Sequence, residues 1–175
     1  MNVARWVERK FEFTTPVTLF PVVLERLRGA PARLEDKLRN VPQEILTRRD
    51  GDRWSAQEHA GHLVDLDELH SGRLDDFLAG AKVLRAWETT NRKTYDANHN
   101  AKPIGEILAA FRKERGAFVK RLEDWKDEDV ARTAIHPRLQ QPMRVIDMAL
   151  FVAEHDDHHL AMMSELIRRI GTRRT

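Results

Sequence analysis

The stretch that constrains this chain most is VIDMALFVAEHDDHHLAMMSELIRRI, which predicts one long helix from about Val145 to Gly171. Met148, Val152, His155, His159, Met162 and Leu166 step along it by fours and threes, the spacing of a helix packed in a bundle. Two members of that inward seam are histidines one turn apart. An i, i+4 pair brings two imidazoles close enough to hold a single metal ion. Buried imidazoles need partners, so the choice lies between core histidines hydrogen-bonded to neighbours and metal ligands. Two on one dry seam favour the metal. His158 falls off the seam and takes a flanking place.

The rest of the chain supplies partners for that helix. At 175 residues it is read as a single domain, 1–175, long enough to bury a full core. A first apolar pattern runs from about Val17 to Asn40 through Leu19, Val23, Leu27, Leu34 and Leu38, with Gly29 and Pro31 predicting a kink or two short helices. Asp50-Gly51 marks a turn. Ser55 followed by Glu58 is a capping box that opens a second helix, which Gly80 stops. Its apolar face carries Leu63, Leu66, Leu74 and Phe77, and His59, His62 and His70 all fall on or beside it, so periodicity alone does not choose a ligand there.

From Ala81 to Lys102 there is no clear period, and a connection of that length suits a crossover between two parallel helices. A third helix is predicted from near Pro103 to about Trp125, with Ile104, Leu108, Phe111, Arg115, Phe118 and Leu122 on its seam. Arg115 stands where an apolar residue is expected. Either it meets an acid such as Asp65, or it faces the cavity and binds an anionic group of a substrate. Pro142 is placed at the opening of the last helix, and the segment from Trp6 through Phe11 and Phe13 to Thr15 is expected to pack across the outside. No strand is predicted.

Several function classes drop out. The formal charge is only +2, with 30 basic against 28 acidic residues, and no basic patch interleaves with aromatics, so nucleic acid is set aside. Arg168, Arg169, Arg173 and Arg174 read as a solvated helix end that complements the macrodipole. No uncharged apolar run of about 18 residues occurs, and the charged N-terminus does not suit a signal peptide. No membrane association and a cytoplasmic location are therefore expected. There is no cysteine, so any sulfur chemistry takes a thiol from outside the chain. In HDDHH the glutamate of HExxH is replaced by Asp156, which argues against a zincin, and neither a paired Glu-x-x-His set nor a nucleophile elbow or phosphate loop is present.

Trp54-Ser55-Ala56-Gln57-Glu58-His59-Ala60-Gly61-His62-Leu63, His136-Pro137-Arg138-Leu139 and Phe151-Val152-Ala153-Glu154-His155-Asp156-Asp157-His158-His159-Leu160, in that order, resemble the DinB/YfiT-like superfamily of metal-binding helical bundles. The likeness extends from about Leu24 to the end, through Pro31-Ala32-Arg33-Leu34 and Asn91-Arg92-Lys93-Thr94. It implies an all-α, four-helix bundle of up-down-down-up topology, often a homodimer. It also implies one histidine ligand on the second helix and two on the last, here His62, His155 and His159, around a divalent metal such as zinc or nickel. Better-understood members of the family use low-molecular-weight thiols, among them bacillithiol transferases and mycothiol-dependent maleylpyruvate isomerases; many others are described as metal-dependent hydrolases.

Three neutral imidazoles leave a coordination position open, the mark of a catalytic site. The sequence expectation is thus a metal-dependent enzyme acting on a small-molecule substrate, S-transfer with a thiol co-substrate standing ahead of hydrolysis. A metal-containing binding or stress-response bundle without turnover is the reading from another class. His136 and Asp65 are the candidates for proton transfer or ligand orientation, and Arg115 for substrate binding.

Overall fold

Glycine and proline divide the first apolar stretch as the sequence predicts. In the computed structural model, which describes residues 3–172, α1 spans Phe20–Arg28 and α2 spans Ala30–Leu38, with Gly29 between them. Pro31 lies in the first turn of α2, where its missing N–H is no loss. A short α3, Gln43–Leu46, leads to the turn at Asp50 and then to α4, Ala56–Leu78. The capping box forms in full: Ser55 Oγ accepts from the Glu58 N–H, and the Glu58 carboxylate accepts from the Ser55 N–H at 2.8 Å. At the far end Gly80 takes φ +67°, a left-handed conformation that glycine adopts without steric cost.

The crossover is more ordered than its sequence suggests. It carries α5, Arg92–Asp96, and a 3-10 turn at His99–Ala101. Each begins at an asparagine in the left-handed region, Asn91 and Asn98, a conformation asparagine tolerates better than most residues. α6 follows, Ile104–Glu123, then α7, Asp127–Val130. Two strands of three residues, β1 (Thr133–Ile135) and β2 (Pro142–Arg144), pair antiparallel where none was expected. Pro142 therefore sits in a strand, pairing with Ile135, and does not open the last helix; α8 starts at Val145 and runs to Thr172.

α4 packs on both α6 and α8, and the α1–α2 pair packs on the same two from the opposite corner. This is the four-helix, up-down-down-up bundle, with the long connection joining the parallel α4 and α6. No helix among the described residues is long and apolar enough to cross a membrane. Arg169, expected to be solvated, bonds Asp50 at 2.8 Å; Arg173 and Arg174 lie outside the described residues.

The core is not continuous. One apolar cluster joins Leu24 and Leu27 to Leu74, Phe118, Leu122 and the start of α8 up to Ala153. The other joins Leu34 and Leu38 to Leu63, Phe111 and α8 from Leu160 onward. Between them every long helix but the first carries buried polar side chains: Asp67 and His70 on α4, Arg115 on α6, and His155, Asp156 and His159 on α8. A polar belt thus crosses the bundle at mid-height.

The segment from Val3 to Thr15 straps across α8. The Val3 N–H donates to Glu165, Arg9 reaches Glu154 at 2.6 Å, and Thr15 is held from both sides by Asp147 and Arg144. Trp6 in this strap stands edge-on to Phe151 and His155, each with ring centroids 4.9 Å away.

Candidate metal centre

The cap at Ser55 fixes where α4 begins and hence which of its side chains look into the bundle. His62 then lies opposite His155 and His159 of α8. The three offer one nitrogen each within 4.8 Å of one another, and all three side chains are buried. The Nε2 atoms of His155 and His159 are 3.1 Å apart. Two nitrogens bound to one tetrahedral ion at about 2.0–2.1 Å would lie roughly 3.3 Å apart, close to that spacing.

Two of the three outer nitrogens, those of His62 and His159, are occupied in a way that leaves the inner ones free. His62 Nδ1 lies 3.0 Å from Thr94 Oγ1, and the Thr94 hydroxyl is in turn hydrogen-bonded to Asp65. The Asp65 carboxylate accepts a hydrogen bond from the hydroxyl, so His62 Nδ1–H donates to the threonine oxygen and Nε2 keeps its lone pair. His159 Nδ1 meets His59 Nδ1 at 2.8 Å, which orients that ring likewise. His155 Nδ1 is buried without a hydrogen-bond partner.

Burial makes these bases neutral. Desolvation, reinforced by neighbouring imidazoles, holds His155 and His159 well below the usual histidine value of 6.5. The same cause, burial first, brings His62 to about 3 and His59 to about 4. Three neutral imidazole nitrogens converging on one point, with no cation of their own to hold, suit a divalent metal of borderline character.

The remaining candidates are placed as follows. Asp65 does not touch His62; it binds His99 Nε2 at 2.8 Å and reaches His62 only through Thr94. Burial pushes the Asp65 carboxyl up, but the hydrogen bonds from His99 and Thr94 outweigh it and the net shift is downward. His136 is buried, accepts the Leu139 N–H on Nδ1 and faces the site; burial, then the charges of Arg73 and Arg138, lower it to about 4. His70 lies near the site too, 3.7 Å from Asp67. His158 flanks it against Trp6.

Arg115 does not reach the cavity. It is fully buried in the polar belt, with its terminal nitrogens 2.8 and 3.0 Å from Asp156 and 3.0 Å from Asp67. Its acids are therefore these two and not Asp65. The seam on α8 also shifts near its end: Met163 is buried where Met162 was expected, and Met162 is part-exposed.

A cavity of about 440 Å³ opens beside the three histidines, within the usual range for small-molecule sites. Trp6, Trp54, Trp87 and Phe151 form much of its wall. Its α4 lining is His62, Leu66, Leu69, His70 and Arg73, one helical stripe. Thr94, His99 and Arg73 were not singled out from sequence. The first two lie in the crossover, and only their docking on α4 reveals a role.

A sequence model of the DinB superfamily matches residues 26–163. Among solved structures, the chain is similar to YfiT from Bacillus subtilis, described as a probable metal-dependent hydrolase with an unusual four-helix bundle topology. The identity is 21%, 94% of each chain is covered, and the TM-score is 0.78. No curated protein matches the chain.

Proposed function

The chain belongs to the DinB superfamily, and from that premise we propose that it is a metal-dependent enzyme that hydrolyses a small molecule at a mononuclear centre held by His62, His155 and His159. One observation carries the reading: three buried, neutral imidazoles converge at the edge of a cavity that a small molecule can enter. That the similar YfiT is described as a probable metal-dependent hydrolase supports it. A zinc or nickel ion there would act as a Lewis acid and bring the pKa of a bound water or thiol into the neutral range.

The chain's own groups supply the rest. Thr94 and His59 fix the rings of His62 and His159. His136 and His70, both neutral and both on the cavity, are bases able to take a proton from a group entering it. The aromatic wall excludes water from the bound molecule.

A second reading, thiol-dependent S-transfer, is favoured by a separate feature. A further hollow of about 270 Å³ adjoins the first at His62, and four charged residues, Asp65, Glu68, Arg85 and Lys93, stand in its lining. It offers a place for a polar thiol co-substrate beside an apolar acceptor, and the chain has no cysteine of its own.

Metal analysis of the purified protein tests the centre, with one ion per chain expected. His62→Ala, His155→Ala and His159→Ala should each lose it, and His158→Ala should keep it. Retention of metal by a His155→Ala/His159→Ala double variant would overturn the assignment. Turnover of an ester and amide panel, set against thiol consumption with the same acceptors, separates hydrolysis from S-transfer. Stoichiometric metal with neither activity would point to a binding protein instead.

A further inference from the structure

The cavity lining contains no aspartate or glutamate, and its histidines are held neutral, yet two arginines face it. Arg73 is 2% exposed. Its one protein hydrogen bond among the described residues runs from Nε to the Arg85 carbonyl at 3.2 Å, so its terminal nitrogens have no carboxylate. The nearby Asp76 is taken by Arg85. Arg138, at the rim, donates among the described residues only to the Val7 carbonyl at 3.3 Å. Burial first, then the charge of Arg138, together outweigh the opposing pull of Asp76 and lower Arg73 to about 10, which still leaves it cationic at neutral pH.

Elsewhere the fold pairs its buried charges; Arg115 has two acids. A buried cation without a counterion is costly and is normally matched by something that binds. Much of the remaining wall is aromatic and apolar, from Trp6, Trp54, Trp87 and Phe151.

We infer that the cavity binds an elongated organic acid, its apolar, ring-bearing body held between the tryptophans and its carboxylate bound by Arg73 and Arg138. His62 and Arg73 are eleven residues apart on α4, a rise of roughly 16 Å. The acid group is thus bound at the end of the cavity away from the three histidines, and the bond to be attacked lies nearer them. This deepens the enzymatic reading above and rests on it for the reacting end only.

Calorimetric titration of the whole protein with phenylpropanoate, its neutral amide and inorganic phosphate tests the idea. Each is run on the zinc-loaded protein and again after chelation, with metal content measured on the same samples. The acid should bind at least roughly tenfold more tightly than the amide in both states, since hydrogen bonds to a charged group are worth about that much. Arg73→Met and Arg138→Met should each erase most of that preference, weakening the acid far more than the amide. Arg138 is exposed, so its variant folds even if the Arg73 variant does not, and Arg73→Lys should restore part of the loss. Equal binding of acid and amide, no binding of the acid, phosphate binding as tightly as the acid, or a preference that survives the double Arg→Met variant would each overturn the inference. A preference that needs zinc and ignores both arginines would overturn it too, since the carboxylate would then sit on the metal. Loss of metal binding with the acid preference intact would instead refute the metal centre alone.

Discussion

Replacing Arg115 by methionine should destabilise the protein by about 3–5 kcal/mol, the typical cost of removing one partner from a buried ion pair. The guanidinium contacts Asp67 and Asp156, and all three side chains are almost completely buried. Burial already raises Asp156 to about 7, with Arg115 opposing the rise. Without the arginine the Asp156 carboxyl is pushed further up, so the folded variant holds a proton that the unfolded chain has released above about pH 4. Proton release on unfolding means stability lost as pH rises, so the gap between parent and variant should widen from mildly acidic to mildly alkaline pH. Methionine keeps much of the packing against Phe111 and Phe118, on which the guanidinium lies at 5.0 and 5.7 Å. In a domain worth about 5–15 kcal/mol, the loss is visible as a lower urea midpoint followed by circular dichroism. Changing all three to Met, Leu and Leu should recover most of it, because an apolar replacement strands no charge. A single variant as stable as the parent, or a gap that narrows with pH, would refute the reasoning.

Thr94→Val removes the group that orients His62 and should weaken metal affinity roughly 10–100-fold with little change in fold, as measured by competition with a chelating dye. Gly61→Ala should destabilise by about 1–3 kcal/mol and disturb the bond from His99 to Asp65, because a Cβ there would lie 2.1 Å from the His99 ring; thermal melts would show it. Metal-free protein should lose stability as pH falls below about 6.5, at up to about 1.4 kcal/mol per pH unit for each buried histidine. Unfolded histidines bind protons there, while His62, His59, His70 and His136, held at about 3 to 4, do not. Asp156 works in the opposite sense, but it is one group against several. A urea midpoint that stays level or rises toward pH 5 would contradict this.

The parts of the fold set by near neighbours could be read from sequence. The Ser55–Glu58 cap, the break at Gly29 and Pro31 and the pairing of His155 with His159 depend on residues three or four apart. The seam pattern points to Met162 where the structure buries Met163, because either spacing, three or four, fits a 3.6-residue turn this far along a helix. The ambiguity among His59, His62 and His70 has a physical origin: the crossover covers the outer side of α4, so Ser55 through Leu63 are all buried and no polar face marks the orientation. Resemblance to a family chose His62, and the structure does bring that residue to the α8 pair. Arg115 stood out at once, yet Asp67 and Asp156 come from two other helices, and no local pattern names them. Strands of three residues carry too little alternation to register.

The strap has a bearing on how the protein is made. Its anchors lie 132 to 162 residues further along the chain, at Asp147, Glu154 and Glu165. At about 5–20 residues per second, a ribosome takes roughly 10–30 s to deliver them after the strap itself emerges. During that interval Trp6, Phe11 and Phe13 have no surface to close on, and α4 waits without α8. The cavity wall is therefore completed in the last act of folding, after α8 has emerged. A chain stalled before α8 lacks Phe151 from that wall and two of its three converging histidines.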